Sequence, residues 1–136
     1  MALDDLLAAV ERLGGETAKP VVAIELFLDG NEDEASIAPN LRRHPGMERF
    51  RDVLGEMTLR GEVSAVLAQI DEVLDPPDWP YVPAVYVITT APPHQVARWA
   101  GELDPEPDLL EQPWFDDPPG LPPVPHGPAL VGLWWD

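Results

Sequence analysis

Apolar residues recur at helical spacing in three segments of the chain, residues 2–13, 44–60 and 91–103. Spacings of three and four residues place apolar side chains on one face of a helix, so each segment predicts an amphipathic helix with one buried stripe. Local signals agree for the second helix, because Pro45 suits a first helical turn and Gly61 suits a position just beyond the last turn.

Shorter apolar runs predict four strands. Residues 84–89 alternate as expected of a strand, and residues 20–28 form a dense apolar run typical of a strand covered on both faces. Residues 129–135 end in two adjacent tryptophans, which would point to opposite faces of a strand. Residues 63–70 fit both strand and helix spacing, and we favour a strand because residues 84–89 need a neighbour in a sheet.

The order of these elements after the first helix is β-α-β-β-α-β, which is the ferredoxin-like or split βαβ pattern. It predicts an α+β fold in which a four-stranded antiparallel sheet carries helices 44–60 and 91–103 on one face. The other face would need cover from helix 2–13, from the proline-rich segment 104–128 or from a partner. A length of 136 residues is typical of one domain, so we expect residues 1–136 to fold together.

Residues 104–128 differ in composition from the preceding chain, with nine prolines and many acidic residues. Such a segment is typical of an extended arm without regular structure. Trp114, Phe115 and Leu121 lie within it, and their apolar side chains predict that the arm packs on the domain. Residues 118–125 also have the PxxP spacing of segments that bind aromatic grooves, but no Arg or Lys flanks them, and packing on the domain is favoured.

Acidic residues dominate the charge of the chain, with 25 Asp and Glu against eight Lys and Arg and a net charge of −17 at pH 7. A field of this sign repels nucleic acids and anionic lipids and favours cations and basic partner proteins. The absence of cysteine excludes disulfides and thiolate chemistry. No apolar run is long enough to span a bilayer and the first residues do not resemble a secretory signal, so we expect a cytoplasmic protein.

An acidic loop, residues 29–40, contains the one candidate metal site. Three of its residues alternate like the first ligands of a calcium-binding loop, namely Asp29, Asn31 and Asp33. The match then fails, because Glu34 stands where the motif needs glycine and Asn40 stands where it needs a bidentate glutamate. A weak site for a divalent cation such as calcium, with Glu25 as a further ligand, is one interpretation, and a surface turn is the other.

Histidines, serines and glycines form no catalytic motif. None of His44, His94 and His126 has a second histidine three or four residues away, so a local zinc signature is absent. Neither serine lies in a Gly-x-Ser-x-Gly elbow, and no glycine-rich loop with a lysine could hold a phosphate. We expect no nucleotide cofactor, and we favour a non-enzymatic role.

Half of the basic residues fall within ten positions, at Arg42, Arg43, Arg49 and Arg51. They could bind an anion at a helix start, or pair with the protein's own acidic residues, which we favour because acids are in excess. This region supplies the candidate partner-binding residues, which are Glu32, Glu34, Arg42, Arg43 and His44.

Short segments spread over residues 25–136 form a recognisable pattern: FLDGNED at 27–33, SI at 36–37, NL at 40–41, HPG at 44–46, WP at 79–80, VYVITT at 85–90 and WWD at 134–136. The pattern resembles an uncharacterised family of small acidic bacterial proteins. The resemblance implies that the acidic loop and the His-Pro-Gly turn belong to a shared design. It implies no activity, substrate or cofactor.

Three functional hypotheses follow from these observations. The leading one is a non-enzymatic protein-protein interaction module, for example an immunity-type antagonist that masks a basic partner. The second is a small metal-dependent enzyme or metal binder that uses the acidic loop. The third is a structural subunit of a homo-oligomer such as a homodimer, with Trp134 and Trp135 at a two-fold interface.

Overall fold

A four-stranded antiparallel sheet forms the centre of the structure, a computed structural model that describes residues 2–124 and 126–136. Among those residues, no helix has the length and apolar character to cross a membrane. The prediction of an α+β fold is confirmed. The elements in chain order are α1 (Ala2–Arg12), β1 (Val21–Ala23), α2 (Ile24–Leu28), α3 (Met47–Thr58), β2 (Val63–Gln69), β3 (Ala84–Thr89), α4 (Pro93–Trp99) and β4 (Ala129–Trp134), with 3-10 turns at Glu16–Ala18, Glu34–Ser36 and Gly101–Leu103.

The predicted strand 20–28 is wrong in its second half, because β1 ends at Ala23 and the next five residues form α2. Ile24, Phe27 and Leu28 are buried and have the spacing of one helical face. Glu25, between them, is exposed. The apolar run therefore fits the spacing of a strand and that of a helix. Residues 24–28 form a helix because this conformation buries Ile24, Phe27 and Leu28 in the core.

The sheet has the strand order β1-β2-β3-β4, so the predicted ferredoxin-like topology is not what the described residues form. In that topology the two strands of each βαβ unit are parallel and another strand lies between them. Here β1 lies directly beside β2 and β3 directly beside β4, and both pairs are antiparallel. The difference follows from the short β1: the chain leaves the sheet after three residues, and α2 and α3 return it so that β2 runs back beside β1. Val22 pairs with Ala68 in this register.

Strand predictions at 63–70, 84–89 and 129–135 are confirmed within a residue at each end. The predicted helix 44–60 is shorter, because Gly46 lies at its N-cap with φ of 95° and residues 44–46 form a turn before it. The predicted helix 91–103 is divided between α4 and a 3-10 turn.

Opposite faces of the sheet belong to different cores. All four helices contribute side chains to the core on the face that carries Val66, Val87 and Leu133. The face that carries Tyr86 and Ile88 is covered by side chains from the proline-rich segment. The two tryptophans at the end of the chain lie on these two faces, as predicted from their adjacent positions. Trp135 is 4% exposed and packs edge-on against Phe50, so its ring serves the core of this chain.

The proline-rich segment, residues 104–128 and called the arm below, crosses the second face from one sheet edge to the other. Pro125 lies outside the described residues. At the β4 edge, Leu110 and Gly132 exchange backbone hydrogen bonds of 2.9 and 2.7 Å. At the β1 edge, the Val21 N–H donates to the Pro119 carbonyl at 2.9 Å. The arm thus supplies the cover that the sequence left open, and it pairs the exposed edge of β4.

Gly132 is required for this close approach. A Cβ atom at residue 132 would lie 2.5 Å from Leu110 Cβ, well inside van der Waals contact. The glycine therefore lets the arm come within hydrogen-bonding distance of the sheet edge.

Candidate functional site

The acidic loop is organised around one buried amide. Asn31 is fully buried, and its Nδ2 donates to the Phe27 carbonyl at 3.2 Å and to Ser36 Oγ at 3.0 Å. Its Oδ1 accepts the N–H of Asp33 at 2.8 Å. These bonds link the end of α2 to the 3-10 turn at 34–36, so the asparagine side chain holds the loop closed.

Both carboxylate oxygens of Asp33 also have partners within the protein. Oδ1 accepts the N–H of Ala35 at 3.0 Å and begins the 3-10 turn, while Oδ2 accepts the N–H of Trp79 at 3.0 Å. The second bond fastens the acidic loop to the loop between β2 and β3. A parallel bridge between Ile37 and Val82 extends this contact.

These contacts give the proposed metal ligands structural roles. The side-chain oxygen atoms of Asn31 and Asp33 accept hydrogen bonds from backbone N–H groups. Asp29 and Glu25 are exposed and lie outside this network. Within residues 2–124 and 126–136, no group of three or more His, Asp or Glu side chains is arranged to hold a metal ion. A cation site in the acidic loop stays a prediction without geometric support.

His44 connects the acidic loop to α3. Its Nδ1 accepts the N–H of Gly46 at 3.0 Å, so the ring proton lies on Nε2, which donates to the Ile37 carbonyl at 2.9 Å. In that tautomer the nearby Glu34 carboxylate, 3.7 Å from Nδ1, makes no ion pair with the ring. The ring packs on Phe50 with centroids 5.3 Å apart. His44 thus fixes the turn before α3.

Within the part of the chain that the structure describes, two of the four clustered arginines form ion pairs and the other two do not. Arg51 donates to the Asn31 carbonyl and to the Glu32 carboxylate, each at 2.8 Å, and Arg49 pairs with Glu102 at 3.2 Å. Arg42 and Arg43 are exposed and have no ion pair among the described residues. The interpretation that these arginines neutralise the protein's own acids is therefore correct for Arg49 and Arg51 only.

An open cleft of about 860 Å³ adjoins Arg42 and Arg43. Its lining combines these cations with carboxylates from distant parts of the chain, and it is formed by Asn40, Leu41, Arg42, Arg43, Asp104, Glu106, Trp135 and Asp136. Sequence reasoning found the arginines and missed the carboxylates. No local pattern joins the two groups, because more than sixty positions separate them and the fold alone brings them together.

The five predicted partner-binding residues do not form one uniform surface. Arg42 and Arg43 share the cleft, Glu32 holds Arg51, and His44 is committed to the turn. Glu34 is largely exposed, with 60% of its side chain accessible.

Acidic side chains cover much of the remaining surface. The buried polar side chains are those of Asn31, Ser36, Gln69 and Thr89, so every acidic side chain in the described ranges is at least partly exposed. Lys19 and the arginines in ion pairs engage few of the 25 acidic residues. Residues 99–136 contain no lysine or arginine at all. The arm therefore presents negative charge that no base within its own segment neutralises.

A buried hydrogen-bond chain connects the sheet to the arm. Tyr86 is fully buried in β3, and its hydroxyl donates to Gln69 Oε1 at 2.8 Å and accepts the N–H of Trp114 at 2.8 Å. Gln69 Nε2 in turn donates to the carbonyl of Lys19 at 2.8 Å. Burial raises the pKa of Tyr86 to about 12, so the hydroxyl keeps its proton at neutral pH. These hydrogen bonds fix the backbone of residue 114 to the core.

The fold and the site define the class of protein: a small, strongly acidic α+β domain whose buried polar side chains connect its loops to its core. The chain belongs to the Uncharacterized protein YfbO family, whose family model matches residues 1–133. It is 33% identical over 122 residues to the Uncharacterized protein YfbO of Escherichia coli (strain K12), an alignment covering 89% of this chain and 86% of that protein. The resemblance drawn from the sequence pattern is thereby confirmed. None of the solved structures matches this chain significantly.

Proposed function

We propose that this protein is a non-enzymatic interaction module that binds a basic protein partner, in the manner of an antagonist that masks a positively charged surface. The observation that carries the proposal is the distribution of its 25 acidic residues, none of which is buried in the described part of the chain. The carboxylates that make no internal hydrogen bond or ion pair are therefore at the surface, where they can meet a partner.

Internal neutralisation does not account for this charge. Exposed ion pairs of the kind seen at Arg49 and Glu102 contribute at most about 1 kcal/mol each to stability. A net charge of −17 on 136 residues also opposes folding through self-repulsion. Complementary charge on a partner would relieve that repulsion and accelerate association, which supports an interaction role.

The polar residues of the acidic loop and His44 give less support to a catalytic role than the surface charge gives to an interaction role. The acidic loop holds its own backbone through Asn31 and Asp33, and His44 spends both ring nitrogens on backbone groups. A catalytic base must be able to reach a substrate proton. The side chains that the sequence offers for catalysis or metal binding are largely engaged elsewhere.

The proposal is tested by affinity capture followed by titration. Tagged protein is incubated with an extract of its native host, and proteins retained at low salt but released at high salt are identified by mass. Each one is then purified and titrated against the protein by calorimetry at several salt concentrations. We expect a basic protein that binds with saturable stoichiometry and loses affinity as screening increases, since the Debye length is already about 8 Å at physiological ionic strength.

Two outcomes would contradict the proposal. One is that no purified candidate binds with defined stoichiometry. The other is that binding is indifferent to salt, which would assign the interaction to apolar contacts. Duplex DNA serves as the control in the same titration, because a polyanion should not bind a surface of this charge.

A further inference from the structure

We propose that the partner binds on the arm around Trp114, and that this surface receives an arginine side chain presented by the basic protein. The inference rests on the proposed function and adds the site and the chemical group that is recognised. The surface, called the Trp114 surface below, is formed by Glu111, Gln112, Pro113, Trp114, Asp116 and Asp117.

Trp114 is an unusual side chain to leave in water. Large apolar side chains that are exposed in the described ranges are Leu59, Leu74, Trp114 and Val124, and Trp114 is the one aromatic residue among them, at 47% exposure. Isolated exposed aliphatic residues are common on soluble proteins. An exposed tryptophan in a depression that no described lysine or arginine lines is more informative, because tryptophan is enriched among the residues that dominate binding energy.

The position of Trp114 is fixed before any partner arrives. Its backbone N–H donates to the hydroxyl of the fully buried Tyr86, and its ring packs against Trp134 with centroids 5.5 Å apart. Trp134 is itself held by a hydrogen bond from Nε1 to the Asp108 carbonyl. A rigid anchor loses little conformational entropy when it binds, so this arrangement favours recognition over a role as a loose surface residue.

One carboxylate shares a depression with the exposed ring, and two more line the depression next to it. Glu111 and Trp114 line one depression of about 510 Å³, and Asp116 and Asp117 line an adjoining one of about 230 Å³. No lysine or arginine lines either depression. A planar guanidinium can stack on an indole and donate to a carboxylate at the same time, which is the combination that these depressions offer.

The protein already uses the same chemistry within its own chain. Lys19 Nζ lies 5.2 Å from the centroid of the Phe115 ring and pairs with Asp71 at 2.7 Å. Arg60 lies 4.2 Å above the ring of Trp99. Trp114 shares its depression with Glu111, and no Lys or Arg among the described residues lies over its ring. An arginine from a partner would complete the arrangement.

The test uses nuclear magnetic resonance of the ¹⁵N-labelled full chain, with a short peptide of alternating glycine and arginine as the probe. The indole N–H signal of Trp114 is assigned from its loss in Trp114→Phe. We expect this signal to shift in a saturable manner as the peptide is added at low salt. A matched glycine-lysine peptide should bind more weakly, because an ammonium group cannot stack and donate in a fork.

Two triple variants separate a site from general attraction. Glu111→Gln/Asp116→Asn/Asp117→Asn removes the carboxylates of the Trp114 surface. Glu72→Gln/Asp75→Asn/Asp78→Asn changes the net charge equally, at exposed residues of a different loop. We expect the first variant to weaken binding of the arginine peptide about tenfold and the second about twofold or less, since a charge-assisted contact exceeds the effect of distant screened charge.

Each outcome decides the inference. Equal weakening in the two triple variants, or an unchanged Trp114 signal while the peptide binds elsewhere, would overturn the Trp114 surface and leave an acidic interaction module in place. Failure of the peptide to bind at low salt would count against both proposals. Dispersed amide signals in each variant show that the fold is intact, so a loss of binding cannot be attributed to unfolding.

Discussion

Replacing Tyr86 by phenylalanine removes the hydroxyl that links the sheet to the arm. The ring volume stays the same, so the packing of the second core is preserved while two hydrogen bonds are lost. Gln69 Oε1 loses its donor and the Trp114 N–H loses its acceptor. Gln69 is fully buried and water cannot replace the hydroxyl there without rearrangement. The N–H of residue 114 lies nearer the surface.

The expected cost follows from this asymmetry. A buried polar atom that loses its partner costs about 1–3 kcal/mol, and an N–H that water can reach costs less. We therefore expect Tyr86→Phe to lower the free energy of unfolding by about 2 kcal/mol. That is a large share of the total for a domain whose stability is typically about 5–15 kcal/mol.

Urea denaturation followed by circular dichroism measures this change as a shift in midpoint at constant slope. Tyr81→Phe is the matched control, because Tyr81 is half-buried and its hydroxyl has no hydrogen-bond partner among the described residues. It should cost less than about 0.5 kcal/mol. If the two variants had the same stability, or if Tyr86→Phe equalled the wild type, the buried chain would not stabilise the fold and the fixed position of Trp114 would need another cause.

Three further predictions concern alkaline pH, the sheet edge and metal ions. Burial raises the pKa of Tyr86 to about 12. The pKa of Tyr81 is also raised, mainly by burial and to a lesser extent by neighbouring carboxylates. The folded state therefore holds both phenolic protons more tightly than the unfolded state does. Stability from this source should be complete below pH 10 and decline as the pH rises towards 12, and urea midpoints together with tyrosinate absorbance would show whether it does. Gly132→Ala should destabilise by about 1–3 kcal/mol through its clash with the Leu110 Cβ atom. Leu110→Gly removes that atom, so in thermal melts the double variant should lose less stability than the sum of the two single changes. Calcium should leave the melting temperature where an equal ionic strength of sodium chloride places it. A further rise that grows with calcium concentration, and that Asp29→Asn abolishes, would establish a site in the acidic loop.

Strands with clear alternation were predictable because their environment is simple. β3 is buried along its whole length between two cores, and its alternating residues serve one core each. Residues 24–28 were not predictable, because an apolar run of that length fits a strand buried on both faces as well as a short buried helix. The choice depended on how Phe27 and Leu28 pack against the other helices, which is tertiary information.

Strand order was beyond the sequence for a related reason. The predicted order of helices and strands is compatible with more than one sheet, and the short β1 determines which one forms. Once residues 24–28 leave the sheet, only three residues of β1 remain to pair. β1 then adds to β2 at the edge, and no parallel crossover is formed among the described residues.

Composition located the acidic arm, but its role depends on which surface it covers. Leu110 and Leu121 turn inward against the second face of the sheet, so the acidic residues between them are left facing solvent. The same segment that hides an apolar face thereby creates a negative one, and Tyr86 holds Trp114 at its centre. A partner that displaced the arm would expose Ile88 and its neighbours to water, at about 25 cal/mol per Å² of apolar surface. Binding on top of the arm avoids that cost, which is why the Trp114 surface, rather than the sheet beneath it, is the expected site of contact.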